Sequence, residues 1–89
     1  MKRRLMDILA CPICKSHPLE LIVFTEKDEI DEGVLLCGRC GRWYPIIETI
    51  PRMLPDDLRD ATEDRGFLEK WKPHLPEGVL KGGKPFSLE

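Results

Sequence analysis

The sequence predicts a small α+β domain: an antiparallel β-sheet preceded by a short N-terminal helix and followed by a C-terminal helix or an extended tail. Three observations carry this expectation. The chain has 89 residues, room for one small domain that buries only about 60–68% of its unfolded surface. Its four cysteines fall into two matched pairs, Cys11-Pro-Ile-Cys14 and Cys37-Gly-Arg-Cys40. Between and after the pairs lie short runs rich in β-branched and aromatic residues, at 19–25, 34–36 and 43–47, bounded by charged or glycine-containing turns.

At the N-terminus, Leu5, Ile8 and Leu9 recur at helical spacing, so residues 2–9 are expected to form a short helix leading into the first cysteine pair. Such a helix is too short to stand alone. It either packs on the sheet or leaves part of its apolar face for a partner. The opening Met-Lys-Arg-Arg and the Ala10-Cys11 junction superficially resemble a lipoprotein signal, but Asp7 interrupts the apolar run, whereas a secretory signal needs about 7–15 continuous apolar residues. The chain is therefore expected in the cytoplasm, where disulfides do not persist.

That expectation turns the cysteines toward a metal. Two residues between partners let both sulfurs of a pair converge on one ion from a tight turn, and two such turns supply the four thiolates of a closed tetrahedral zinc site. Residues 15–36 separate the pairs, slightly more than the ~15–20 residues usual for the pattern and enough for two strands and a turn. A redox Cys-x-x-Cys belongs in a βαβ setting and has no use for a second pair. Cys11, Cys14, Cys37 and Cys40 are thus the expected ligands of one structural Zn2+, with a single iron as the alternative that residue types do not exclude. His17 follows Cys14 closely, but a structural site closes at four ligands, so it is assigned to the turn. A structural zinc contributes an apparent ~10–16 kcal/mol in small finger peptides, so folding is expected to depend on it. The domain is accordingly read as zinc-ribbon-like.

The ribbon follows in order. Residues 19–25 form the outgoing strand and residues 34–36 the return strand; the charged stretch 26–33, with its five acidic residues, is a solvated hairpin tip without the order of a calcium loop. Gly38 and Gly41 are expected to take the positive φ values that metal knuckles require. In the next strand, Trp43, Pro45 and Ile47 point one way and Tyr44 and Ile46 the other, so both faces are apolar. Pro45, Pro51 and Pro55 place this segment at a sheet edge open to another chain, the alternative being that its side chains cap the ribbon's own core.

After Pro55, Asp56 or Asp57 is expected to cap a helix that Pro73 ends, with Leu58, Ala61, Leu68 and Trp71 as an imperfect apolar stripe weakened at Gly66. Residues 76–89 read as an extended tail from which Val79, Leu80 and Phe86 dock on the domain or on a partner. The expected division is a ribbon domain at 1–55 and a C-terminal helical segment and tail at 56–89.

Composition narrows the function. The formal charge is −2, with 34% charged and 42% hydrophobic residues. A nucleic-acid-binding ribbon would need a basic stripe, and Arg39, Arg42 and Arg52 are a sparse one, better suited to offsetting the thiolates. No apolar run approaches the ~20 residues that span a bilayer, and no catalytic constellation is present.

Residues 9–15, Leu-Ala-Cys-Pro-Ile-Cys-Lys, residues 36–41, Leu-Cys-Gly-Arg-Cys-Gly, and then Arg42-Trp-Tyr-Pro-Ile and Ile50-Pro-Arg-Met-Leu54, in that order, resemble a known family. It comprises the small zinc-ribbon activator subunits of S-adenosylmethionine-dependent methyltransferases that modify tRNA, rRNA and translation release factors, with their short bacterial homologues. The resemblance covers roughly the first two thirds of the chain. It implies a non-catalytic subunit that forms a heterodimer with a methyltransferase catalytic subunit, keeps it soluble and active, and meets nucleic acid only through that partner. It also implies a partner interface made by Ile8, Leu9, Tyr44, Ile46, Ile47, Ile50, Pro51, Met53 and Leu54. Two departures are visible: Thr49 stands where members often have glycine, and residues 15–36 cannot hold the helical insertion of eukaryotic forms, which implies an archaeal-type version. The competing classes are a nucleic-acid-binding ribbon and an iron-containing electron carrier.

Overall fold

Four strands pair in sequence order, and all neighbours are antiparallel: β1 (Glu20–Glu26), β2 (Ile30–Leu36), β3 (Trp43–Ile47) and β4 (Ile50–Pro51). This computed structural model describes residues 1–88. A 3-10 turn, Arg3–Asp7, precedes the sheet; after it come a 3-10 turn at Asp56–Leu58, helix α1 (Ala61–Trp71), a second such turn at Lys72–His74 and helix α2 (Glu77–Gly82). The expected small α+β fold is therefore the observed one.

Alternation along the strands divides the apolar residues between two faces. On one, Leu35, Tyr44 and Ile46 pack with Met1, Cys11, Leu19, Ile30 and Cys37, and Leu5, Met6 and Leu9 close over them. On the other, Val34 and Trp43 pack with Phe67, Leu68, Leu75 and Val79, flanked by Ile22, Phe24 and Trp71. Burying side chains of this size contributes about 1.5–3 kcal/mol each, so both layers matter to a chain this short. The N-terminal segment thus packs on the sheet, although as a 3-10 turn over fewer residues than the expected helix.

The second layer corrects three expectations. The segment after residue 75 is not an extended tail: α2 buries Val79, and residues 83–88 return along the domain, with Lys84 in a parallel bridge to Arg42. The cap of α1 is Asp60, whose carboxylate accepts the Glu63 N–H at 3.0 Å, rather than Asp56 or Asp57. Leu58 lies outside the apolar stripe at 63% exposure, and the buried positions of α1 are Asp64, Phe67 and Leu68.

The strand at 43–47 is also not the edge. β3 is flanked by β2 and by β4, where Ile46 faces Pro51 and Ile47 faces Ile50. Pro45 in β3 and Pro51 in β4 fit because antiparallel bonding alternates. Arg52 donates its N–H to the Pro45 carbonyl at 2.9 Å, so the donor Pro45 lacks falls where the short β4 ladder ends. Pro51 sits opposite Ile46 in the non-bonded register, which turns its missing N–H to the outside. The hairpin tip is tighter than the charged stretch suggested: β2 begins at Ile30, and Glu29 and Glu26 are held by the Met1 amino group and Arg3 at 2.9 and 2.7 Å.

Candidate functional site

Two turns with the same hydrogen bonding carry the four cysteines. In the first, the Lys15 N–H reaches the Cys11 carbonyl at 2.9 Å and the Cys11 N–H reaches the Ser16 carbonyl at 3.0 Å. In the second, the Gly41 N–H reaches the Cys37 carbonyl at 3.0 Å and the Cys37 N–H the Arg42 carbonyl at 2.8 Å. Each turn closes through a residue with positive φ, Lys15 at 64° and Gly41 at 78°. Gly38 does not adopt that conformation, so only one of the two expected glycines is used, and a lysine does the same work in the other turn.

These turns bring all four sulfurs within 4.8 Å of one another. Across the pairs, Cys11 Sγ lies 3.7 Å from Cys40 Sγ and Cys14 Sγ lies 3.4 Å from Cys37 Sγ. A tetrahedron with metal–sulfur bonds of ~2.3 Å has sulfur–sulfur edges of about 3.8 Å, so the arrangement fits one four-coordinate ion. Cys11 and Cys37 are buried and Cys14 and Cys40 half-buried, as a closed structural site requires.

The surroundings favour thiolate unevenly. Burial pushes the Cys11 thiol up, but the N–H groups of Cys14 and Ile13 and the Tyr44 hydroxyl outweigh it and bring the thiol down to about 6. The Ser16 N–H favours the Cys14 thiolate, yet desolvation and the crowded sulfurs of Cys37, Cys11 and Cys40 push it up to about 11. Burial opposes ionisation of Cys40, and the N–H and guanidinium of Arg42 reverse this. Four thiolates at such distances repel one another, and a divalent cation is what relieves them.

Two side chains support the cysteines: Tyr44, whose part spacing did not show, and Arg42, one of the arginines expected to offset the thiolates. Tyr44 places its hydroxyl 3.1 Å from Cys11 Sγ, where it donates to the thiolate; burial first and Cys11 second hold its own ionisation far above the usual phenol range. Arg42 bonds Asp56 through two contacts of 2.9 and 2.7 Å and also faces Cys40. Of the sparse arginines, Arg42 is thus the one that offsets the cage. The His17 ring donates from Nδ1 to the Leu9 carbonyl at 2.7 Å, tying the first turn to the chain before it.

The expected interface residues divide. Ile8, Ile50 and Leu54 are exposed, at 74%, 61% and 39%. Leu9 and Met53 are half-buried against the first core layer, Ile47 packs on the second, and Pro51 is half-buried in β4. Tyr44 and Ile46 are fully buried, their strand being covered on both faces by the chain itself. Ile13 and Leu58 are exposed apolar side chains absent from the expected set. Among the described residues no helix is long and apolar enough to cross a membrane.

Comparison with known proteins places this geometry. The model of the Trm112p-like protein family matches residues 2–48. A UPF0434 protein of Coxiella burnetii is 44% identical over 63 residues, covering 71% of this chain and 98% of its own length. A UPF0434 protein of Dechloromonas aromatica is 42% identical over 64 residues, covering 72% and 97%. Among solved structures, the chain resembles one in a complex between the Haloferax volcanii Trm112 methyltransferase activator and a protein assigned as the methyltransferase. The TM-score is 0.62 and the identity 50%, over 66% of this chain and 100% of that one.

Proposed function

Since the chain belongs to the Trm112p-like protein family, we propose that it is a non-catalytic activating and stabilising subunit. It binds S-adenosylmethionine-dependent methyltransferases that modify tRNA, rRNA or translation release factors. The observation that carries this reading is the 50% identity over the whole of a chain solved in an activator–methyltransferase complex. The partner is a catalytic subunit in a heterodimer, the setting is the cytoplasm, and nucleic acid is met only through the partner.

Cys11, Cys14, Cys37 and Cys40 hold one structural zinc in this proposal, supported by sulfur spacing that matches a four-thiolate tetrahedron. The ion closes the two turns on each other and so fixes the fold of residues 1–55, with residues 56–88 as the C-terminal segment packed on them. The partner is met at the exposed apolar side chains Ile8, Ile50 and Leu54, with Leu9, Pro51 and Met53 beside them. Exposed apolar side chains on and just after the edge strand β4, such as Ile50 and Leu54, suit docking against another chain.

Affinity purification of the chain at its natural abundance, with mass spectrometry of what co-purifies and a methyl-transfer assay with and without the chain, tests the reading. A methyltransferase that loses solubility or activity when the chain is removed is the expected result. Methyl transfer by the chain alone, or a co-purifying set without a methyltransferase, overturns it.

A further inference from the structure

Residues 41–43, which run straight out of the second cysteine turn, are fastened to the far end of the chain. Lys84 donates its N–H to the Gly41 carbonyl and accepts the Trp43 N–H on its own carbonyl, both at 3.1 Å, making the parallel bridge between Arg42 and Lys84. The Trp43 indole Nε1 donates to the Phe86 carbonyl at 2.9 Å. Gly83 lies against that indole: a Cβ there would stand 2.9 Å from Cδ1 of Trp43 and 2.5 Å from the Val79 carbonyl oxygen.

The same peptide units also set the cysteine turn. Gly41 gives its N–H to Cys37 and its carbonyl to Lys84, and Arg42 accepts the Cys37 N–H on its carbonyl while its neighbour Trp43 bonds the tail. A shift of this short stretch therefore moves the turn and the tail together. The family match ends at residue 48, and relatives covered almost to their full length reach only 71–72% of this chain. The fastening thus comes from a part of the chain outside the family match.

We propose that residues 83–86 are a latch on the second cysteine turn, so that docking of this tail and metal occupancy of the four-cysteine site form one coupled equilibrium. By linkage, undocking the tail weakens metal binding and metal loss in turn loosens the tail; the weaker binding is expected to show as faster release. The proposal rests on the metal reading but not on the methyltransferase partner, and the metal content of the purified protein tests that reading separately.

The test uses the full chain loaded with zinc and two ways of freeing the latch. Gly83→Val forces a side chain into the indole contact, and a chain ending at Gly82 removes the latch outright. Gly78→Ala on the same helix, where an added Cβ meets nothing within 4 Å, is the control. Zinc transfer to a chromogenic chelator is followed beside hydrogen exchange at the Trp43 amide and at the amides of β1 and β2. The expected result is metal release about tenfold faster in both latch variants, unchanged in the control, with β1 and β2 still protected. Release within twofold of wild type from the chain ending at Gly82 overturns the latch. So does acceleration that appears only when β1 and β2 lose protection, because the tail would then be a general part of the core.

Discussion

Lys15 and Gly41 occupy the same place in two matched turns, one residue past the second cysteine of each pair, and share a left-handed backbone at φ 64° and 78°. A side chain in that conformation costs roughly 1–2 kcal/mol, and glycine escapes the penalty while losing more chain entropy on folding. Lys15→Gly should therefore stabilise the zinc-loaded protein by about 0.5–1 kcal/mol. Gly41→Ala, although nothing lies within 4 Å of the new Cβ, should destabilise it by about 1 kcal/mol through φ alone. Denaturant unfolding at fixed excess zinc measures both. A less stable Lys15→Gly protein would mean that the Lys15 side chain, which reaches the Pro12 carbonyl at 3.2 Å, matters more than its backbone.

The β3–β4 turn carries the same strain twice, because Glu48 and Thr49 have φ 49° and 69°. Two left-handed residues in a two-residue hairpin loop make the turn that favours Asn-Gly, and a β-branched residue is poorly suited to it. Thr49→Gly keeps the N–H that reaches the Asp31 carbonyl at 2.9 Å, so stability should rise by about 1 kcal/mol. A higher urea midpoint with an unchanged m-value is the expected signature. A lower midpoint would show that the threonine side chain outweighs its backbone cost.

Arg59 is paired with Asp64 at 2.8 Å, donates to the Trp43 carbonyl at 2.8 Å and brings its guanidinium near the rings of both Trp43 and Tyr44. Its Nη2 is buried without a hydrogen-bond partner. Burial holds the Asp64 carboxyl above its ordinary range despite the attraction of Arg59. With the folded pKa raised, that group favours folding only below its ordinary value of about 4 and loses the contribution as pH rises. At neutral pH its ionisation is a net cost. Asp64→Ala should still destabilise by about 3 kcal/mol, because it leaves Arg59 charged and buried alone. The double variant Arg59→Met, Asp64→Leu should recover most of that loss at pH 7. A double variant as unstable as the single one would show that the pair itself stabilises.

Legibility in the sequence followed the range of each interaction. The cysteine spacing and the alternation of apolar residues are local, so the four-sulfur cluster and the strands could be read directly. What covers each face is not local. Tyr44 and Ile46 looked available because the strand is apolar on both sides, but Met1, Leu5, Met6 and Leu9 cover their face and residues 61–88 fill the other. Asp60 rather than Asp56 caps α1 because Asp56 is held by Arg42, a contact across 14 positions that no local pattern announces. Lys15 was missed for the opposite reason: the signal searched for was glycine, and a lysine holds the same conformation.

The metal centre should respond differently to its ligands and to their support. Cys40→Ser should abolish stoichiometric metal and leave the chain without cooperative unfolding, since binding energy at such a site is also folding energy. Tyr44→Phe removes only the hydroxyl beside Cys11 and should lower metal affinity about 10–100-fold with the fold retained. Elemental analysis and competition with a chelator check the two, and the same analysis distinguishes zinc from iron. A reduced, metal-free wild-type protein that unfolds cooperatively would remove the metal from the account of the fold.

Exposure separates the partner surface from the core within one stretch of chain. Ile50 stands at 61% exposure in β4, whereas Ile46, opposite the neighbouring Pro51, is wholly buried. Ile50→Asp and Leu54→Asp should leave metal content and folding intact and weaken methyltransferase binding at least 100-fold, because an unpaired carboxylate enclosed at an interface costs several kcal/mol. Ile46→Asp should fail earlier, by disrupting the chain itself. Asp28→Asn at the hairpin tip is the control; Glu26 and Glu29 are unsuitable because they hold Arg3 and the Met1 amino group. Co-expression with a candidate catalytic subunit, affinity purification and methyl transfer read out all four variants. Undiminished complexes from folded Ile50→Asp and Leu54→Asp proteins would move the interface elsewhere. The open outer edge of β1 would be the next place to look, since β4 turns only the donor-less Pro51 outward while β1 offers a seven-residue strand.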